Sequence, residues 1–166
     1  MENKTEKMKL HPGVKWAWRI GFYILTLFGV LWLSIAAIPL LMVFSPSYGL
    51  IVLLILLVGI FITEAYIGLA YNNWSYELTK DGVKLERGVI WKRYSNIPYS
   101  RIQNVDITRG VVARVIGFST VDIQTAGYSG YGRRPGMSEG HIPAVDVEEA
   151  EKMRDFLVKK IGHKGM

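Results

Sequence analysis

The sequence predicts a membrane α+β protein, in which a two-helix transmembrane hairpin precedes a small antiparallel β-barrel or roll that ends in an amphipathic helix. Three observations lead to this prediction. Apolar residues are concentrated between residues 20 and 71, apolar and polar residues alternate beyond Tyr71, and the segment after Asp146 has an apolar residue at every third or fourth position. We therefore divide the 166 residues into a basic cytoplasmic N-terminus (1–19), a transmembrane hairpin (20–71) and a cytoplasmic domain (72–166).

Each predicted span is long enough to cross a bilayer. No charged residue occurs from Ile20 to Phe44, and a hydrocarbon core of about 30 Å requires about 20 apolar residues of helix. Proline breaks helices, so the segment 45–47, which contains Pro46, predicts a turn. Gly49 to Tyr71 forms the second apolar run, interrupted by one charge at Glu64. Two crossings return the chain to the side from which it started.

The distribution of basic residues predicts the orientation. Five of them precede the first span, the predicted turn has none, and the other fifteen follow Tyr71. Basic residues are retained on the cytoplasmic side of membranes. We therefore expect a protein of the cell membrane with both termini in the cytoplasm.

Alternating residues beyond the second span predict antiparallel strands. An Asp81-Gly82 turn would form a first hairpin that places Leu78 opposite Leu85, with Tyr76 and Val83 on the same face. The further predicted elements are strands over Trp91–Ile97, around Val105 and Ile107, over Ser119–Thr125 and over His141–Val145, with a helical turn at Val111–Ile116 that Gly117 stops.

The last element is predicted to be an amphipathic helix. Asp146 is placed as its N-cap, with Glu149 three residues later. The apolar stripe consists of Ala150, Met153, Leu157 and Ile161. Six or seven strands followed by one such helix describe a barrel like that of pleckstrin-homology (PH) domains, although the pattern also allows another small α+β roll.

Composition excludes several classes of function. The chain has no cysteine, which rules out disulfides, thiolate metal sites and cysteine nucleophiles. Its three histidines lack metal-ligand spacing, and its serines form no nucleophile motif. We therefore predict no enzyme, no catalytic residue, no cofactor and no metal. The net charge of +6 is explained by basic residues beside membrane spans, so nucleic acid is not an expected partner.

Several short motifs then resemble a known family. They are Ile97-Pro98-Tyr99-Ser100-Arg101-Ile102-Gln103-Asn104-Val105, Arg114-Val115-Ile116-Gly117-Phe118, Thr125-Ala126-Gly127, Ile142-Pro143 and Glu149-Ala150-Glu151. In this order they are similar to the bacterial PH-like domain family, in particular its YdbS-like membrane proteins, catalogued as a domain of unknown function. The resemblance covers about the whole chain and implies a PH-like fold. It implies no activity, and the lipid ligands of eukaryotic PH domains do not transfer by fold alone.

Glu64 is the one charged residue within the predicted spans. A carboxylate at this depth is costly and is a functional candidate by default. In an antiparallel hairpin, however, Arg19 lies near the same level and could reach it. Two interpretations remain open: a functional acid, or a structural pairing with Arg19 or a partly protonated acid that snorkels to the surface.

Five basic residues of the cytoplasmic domain are candidates for binding lipid headgroups or a partner: Lys92, Arg93, Arg101, Arg133 and Arg134. Arg101 has a structural alternative, in which it binds backbone carbonyls, Asp106 or Asp122. Arg133 and Arg134 lie in a glycine-rich segment beside Tyr128 and Tyr131 and have the alternative of a solvated loop.

The sequence thus predicts a membrane-anchored, non-enzymatic PH-like interaction module on the cytoplasmic face. Its expected partners are the lipid bilayer and either further copies of itself or another membrane protein, because small barrels expose strand edges and helix hairpins expose apolar faces. Recognition of anionic lipid headgroups is the first alternative. An accessory subunit of a membrane transport or secretion complex is the second.

Overall fold

A computed structural model describes residues 7–41, 47–125 and 140–162. The chain divides into two compact units. Residues 15–69 form the helical unit, and residues 1–14 together with residues 70–166 form the strand unit. Residues 7–14, predicted to be part of a separate N-terminal segment (1–19), thus belong to the same unit as the strands.

Two long apolar helices, α1 (Val14–Leu41) and α2 (Ser47–Asn72), account for the predicted spans. Both contain windows long and apolar enough to cross a membrane, Val14–Ile35 and Leu53–Asn72. Almost none of either window is buried, unlike the core helix of a water-soluble protein. Of the predicted turn, positions 45 and 46 lie outside the described residues, and the third position is the first residue of α2.

The first sheet consists of β1 (Ser75–Leu78), β2 (Gly82–Arg87) and β3 (Arg93–Pro98), in that order. The predicted register of its first hairpin is wrong by two residues, because Leu78 pairs with Val83 and Tyr76 pairs with Leu85.

The turn of this hairpin is shifted by one residue. The Thr79 amide donates to the Gly82 carbonyl at 2.9 Å, which leaves Lys80 and Asp81 as the two turn residues. Gly82 is instead needed within the strand, since a Cβ there would collide with the Ile97 carbonyl of β3. Because side chains alternate between the two faces of a strand, the register shift of two residues keeps every side chain on its predicted face.

At the outer edge of β3, alternate backbone groups point away from β2. The Tyr99 amide donates to the Asp81 carbonyl at 3.1 Å. In an antiparallel ladder the bonded positions alternate, so the amides of Tyr94 and Asn96 point away from β2. Pro98 occupies the next outward position, where its missing amide donor costs no ladder bond.

The second sheet contains β4 (Ile102–Thr108), β5 (Phe118–Thr125) and β6 (Gly140–Asp146), and the short helix α3 (Val111–Ile116) connects β4 to β5. Gly117 ends α3 in the left-handed conformation, with φ +93°, as predicted. The strands expected over Ser119–Thr125 and His141–Val145 are both present. Across the described ranges the six strands form two separate three-stranded antiparallel sheets and no closed barrel, so the choice between a barrel and a roll stays a prediction.

The C-terminal helix α4 (Val147–Gly162) covers the second sheet. Asp146 caps it, because its Oδ1 accepts a hydrogen bond from the Glu148 amide at 3.0 Å. Of the predicted stripe, Ala150, Met153 and Leu157 are buried, whereas Ile161 is only half-buried. The predicted helix and its N-cap are therefore confirmed.

The N-terminal segment joins the edges of the two sheets. Met8 and Tyr76 of β1 exchange two backbone hydrogen bonds, of 2.9 and 3.0 Å. The His11 amide donates to the Ala144 carbonyl of β6 at 3.0 Å. Between these two contacts, Leu10 is only 2% exposed, and its carbonyl accepts a hydrogen bond from the Tyr71 hydroxyl at 3.0 Å. This segment therefore covers edges of β1 and β6 that would otherwise expose unpaired backbone groups.

Candidate membrane-surface site

The loop between β2 and β3, residues 88–92, presents large apolar side chains to the outside. Gly88 makes the loop tight: it has φ +110°, and a Cβ there would collide with the Trp91 carbonyl oxygen. Only glycine adopts this conformation without cost. The turn leaves Ile90 85% exposed and Trp91 66% exposed. Exposed apolar side chains that adjoin one another mark protein or membrane contacts.

Basic residues flank these apolar side chains. Lys92 and Arg93 follow Trp91 directly, and both are exposed. Lys92 Nζ lies 3.7 Å from Glu86 Oε1, and Lys7 Nζ donates to Glu86 Oε2 at 3.0 Å. The hydrogen bond from Lys7 lowers the pKa of the Glu86 carboxyl, and Glu86 in turn raises the pKa of Lys7. One carboxylate is thus shared by two ammonium groups, and Arg93 adds a further positive charge.

The strand register determines where this loop lies in the strand unit. Ser75, the first residue of β1, pairs with Glu86, and Arg87 pairs with Arg93. Residues 88–92 therefore extend past the start of β1. Since α2 ends at Asn72, just before β1 begins, the loop lies at the end of the sheet that receives the chain from the second apolar helix.

The helical unit contains a second candidate site around Glu64. Arg19 donates to the Glu64 carboxylate through Nε to Oε1 at 2.8 Å and through Nη2 to Oε2 at 2.6 Å. The Tyr23 hydroxyl donates to Oε1 at 2.5 Å, and the Arg19 guanidinium lies 5.0 Å from the centre of the Trp16 ring. These contacts cross-link α1 to α2, and their geometry is that of the pairing interpretation.

The order of these elements agrees with a comparison against protein families. The family model described as Bacterial PH domain matches residues 20–161, which include most of α1, all of α2, all six strands and most of α4. This chain belongs to the bacterial PH domain family. The family assignment confirms the PH-like fold that the motifs implied.

Two curated relatives of this bacterial PH domain protein come from Bacillus subtilis (strain 168). Transmembrane protein YdbS is 26% identical over 87 residues, which are 52% of this chain and 48% of YdbS. Transmembrane protein YdbT is 28% identical over 90 residues, which are 54% of this chain and 17% of YdbT. The matched region thus spans about half of YdbS and a smaller part of YdbT. No solved structure matches the chain significantly. The relatives' names and the two apolar helices together support a membrane location.

The other predicted site residues of this bacterial PH domain protein do not join the loop. Arg101 is exposed and ends a 3₁₀ turn, Tyr99–Arg101, that follows β3. Lys92 and Arg93 lie at the opposite end of β3, and six strand residues span roughly 17 Å. One small headgroup therefore does not contact Arg101 together with the loop.

The acids proposed as partners of Arg101 also have other contacts. Asp106 accepts hydrogen bonds from Asn104 and Gln124, and Asp122 lies 2.8 Å from Nδ1 of His141. Arg133 and Arg134 lie outside the described residues. Within the ranges that the structure describes, no group of three potential metal ligands comes together.

Sequence reasoning missed three residues of these sites. Trp91 was predicted to start a strand and Ile90 was assigned to no element, but two large apolar residues next to Lys92 and Arg93 could have indicated a surface site. Tyr23 follows Arg19 by four residues, a spacing that places both on one helix face, so the helical period could have identified it.

Proposed function

We propose that this chain is a membrane-anchored, non-enzymatic interaction module. In this proposal α1 and α2 cross the cell membrane, both termini are cytoplasmic, and the PH-like domain associates with a second copy of the chain. The outer edge of β3 is the observation that carries the proposal. It combines the outward amides of Tyr94 and Asn96 with an exposed aromatic ring at Tyr94.

Such an edge favours strand addition by a partner. The N-terminal segment hydrogen-bonds to the edges of β1 and β6. The edge of β3, in contrast, has no strand partner among the described residues. Unpaired edges are templates for a further strand, in which backbone hydrogen bonds supply affinity and alternate side chains supply specificity. A second copy presents the same edge, so two β3 strands related by a twofold axis can pair with each other.

Asn96→Pro is expected to shift the protein towards the monomer. The substitution removes an outward amide donor but no hydrogen bond to β2, because Asn96 is not a bonded position of that ladder. One interface hydrogen bond contributes about 1 kcal/mol and the proline ring adds a clash, so association should weaken roughly tenfold or more. The measurement is the mass of the intact protein in nanodiscs, by native mass spectrometry or light scattering.

Asn96→Thr is the matched control, since it changes the same side chain and keeps the amide. It should preserve the mass of the wild type. A monomeric wild-type protein, or an Asn96→Pro variant with an unchanged oligomer mass, would contradict association through β3.

Recognition of anionic lipid headgroups is a second candidate function, favoured by the loop 88–92. Trp91 and Ile90 provide apolar contact beside Lys92 and Arg93, and each basic residue near an anionic surface contributes on the order of 1 kcal/mol. Both Lys7 and Lys92 are partly neutralised by Glu86. The local charge can therefore be raised or lowered by single substitutions.

We expect Lys92→Glu to weaken, and Glu86→Gln to strengthen, contact of the loop with anionic lipid. Because the chain has no cysteine, Ile90→Cys can carry a single polarity-sensitive fluorophore. Its emission should shift to the blue when phosphatidylglycerol is added to phosphatidylcholine nanodiscs, and salt should reverse the shift. Lys159→Glu, an exposed change near the end of α4, serves as the control. Identical emission in neutral and anionic nanodiscs would count against lipid recognition.

A further inference from the structure

We infer that α3 is a separate membrane contact, which inserts its valines at the boundary between headgroups and acyl chains of the bilayer. The α3 surface consists of Val111, Val112 and Val115 with the flanking Arg109 and Arg114. This inference rests on the membrane anchoring proposed above, but it does not depend on association through β3 or on the loop 88–92.

The exposed side of α3 is its apolar side. At about 100° per residue, Val111, Val115 and Val112 lie within roughly 100° of one another on the helix. Val115 is 83% exposed, and the other two valines are also exposed. Ala113, on the opposite side, is buried. In water an exposed helix face is normally polar, so three adjoining valines indicate a surface that is covered by something apolar.

The fold holds α3 beside the chain segment that leads into the first apolar helix. Gly13 directly precedes α1, and a Cβ at Gly13 would collide with the side chain of Ile116 at the end of α3. The His11 ring lies 6.1 Å from the ring of Phe118, the residue that follows the Gly117 cap. α3 is therefore fixed to residues 11–13, a few residues from the start of the apolar window.

The end of the second apolar helix contacts the same N-terminal segment. Lys9 Nζ donates to the Asn72 carbonyl at 2.6 Å, and the Tyr71 hydroxyl donates to the Leu10 carbonyl. Residues 9–13 thus contact both the end of α2 and the end of α3. This proximity favours the bilayer itself as the cover of the α3 surface.

The basic residues beside the valines suit contact with an anionic bilayer surface. Arg109 and Arg114 are both exposed and flank the valines. Long basic side chains at an apolar patch can place their stems on the acyl boundary and their charges among anionic headgroups.

Single-cysteine labelling of the full chain tests this inference. Val115→Cys, Val158→Cys and Leu31→Cys each receive a nitroxide, in nanodiscs that contain one copy of the chain and phosphatidylcholine with phosphatidylglycerol. Val158 is the matched control: it is 52% exposed and lies on α4, roughly 18 Å along the helix from Asp146, which pairs with Phe118 next to α3. Leu31 lies within the first apolar window and reports the anchoring.

We expect the label at position 115 to be several-fold less accessible to a water-soluble nickel chelate than the label at position 158, and more accessible to oxygen. Equal nickel accessibility at the two positions would overturn the inference. Protection of position 115 that requires two copies per nanodisc would also overturn it, because a second chain would then cover α3. If position 31 is nickel-accessible, the anchoring itself fails. If it is protected while position 115 is not, only the α3 contact fails.

Discussion

Leu10→Ala is expected to lower the free energy of unfolding of the strand unit by about 2 to 5 kcal/mol, the range for truncating a buried leucine to alanine. Leu10 is almost completely buried between the backbone contacts that Met8 and His11 make with the two sheets. Its loss should therefore loosen the edges of β1 and β6 together. Hydrogen exchange of the full chain in nanodiscs, followed by mass spectrometry, measures the protection of these strands.

Val158→Ala is the control for this experiment, because Val158 is half exposed on α4 and its truncation should change the stability by less than about 0.5 kcal/mol. Unchanged protection of β1 and β6 in Leu10→Ala would show that the N-terminal segment does not stabilise the sheets. A Leu10→Ala effect confined to residues 7–14 would show that the segment detaches locally.

Gly88→Ala is expected to destabilise the strand unit by about 2 to 3 kcal/mol and to change the loop that carries Ile90 and Trp91. An alanine at φ +110° is strained, which costs on the order of 1 to 3 kcal/mol. Its Cβ would also collide with the backbone oxygen of Trp91, which cannot rotate away as a side chain could. Denaturant unfolding gives the stability, and a fluorophore at Ile90→Cys reports the loop.

Gly117→Ala is the control that separates the backbone strain at a positive φ from the collision with the Trp91 oxygen. Gly117 also has a positive φ of +93°, but a Cβ there would meet no atom within 4 Å. The substitution should therefore cost only the backbone strain of a left-handed alanine, about 1 to 2 kcal/mol. If Gly88→Ala is no more destabilising than Gly117→Ala, the close approach of Trp91 does not constrain the loop.

Local patterns in the sequence were sufficient for the elements that depend on nearby residues. Continuous apolar runs predicted α1 and α2, since crossing a hydrocarbon core requires only length and low polarity. The spacing of Ala150, Met153 and Leu157 predicted the buried face of α4, and Asp146 its start. The glycine at position 117 predicted the end of α3. In each case the physical cause lies within a few residues of the effect.

The contacts that give the strand unit its surfaces depend on residues far apart in the chain, and the local patterns did not reveal them. Gly82 belongs to β2 instead of the turn because β3 approaches it closely, a constraint that appears only when the sheet is assembled. Leu10 is a core residue only because residues 7–14 pair with β1 and β6.

The positions of the candidate site residues also depend on long-range contacts. Arg101 is separated from Lys92 by the length of β3, whereas Tyr23 is brought to Glu64 by the packing of α1 against α2. Periodicity identifies which face of an element is apolar; which partner covers that face, or whether it stays exposed as on α3, follows from the long-range packing of the chain.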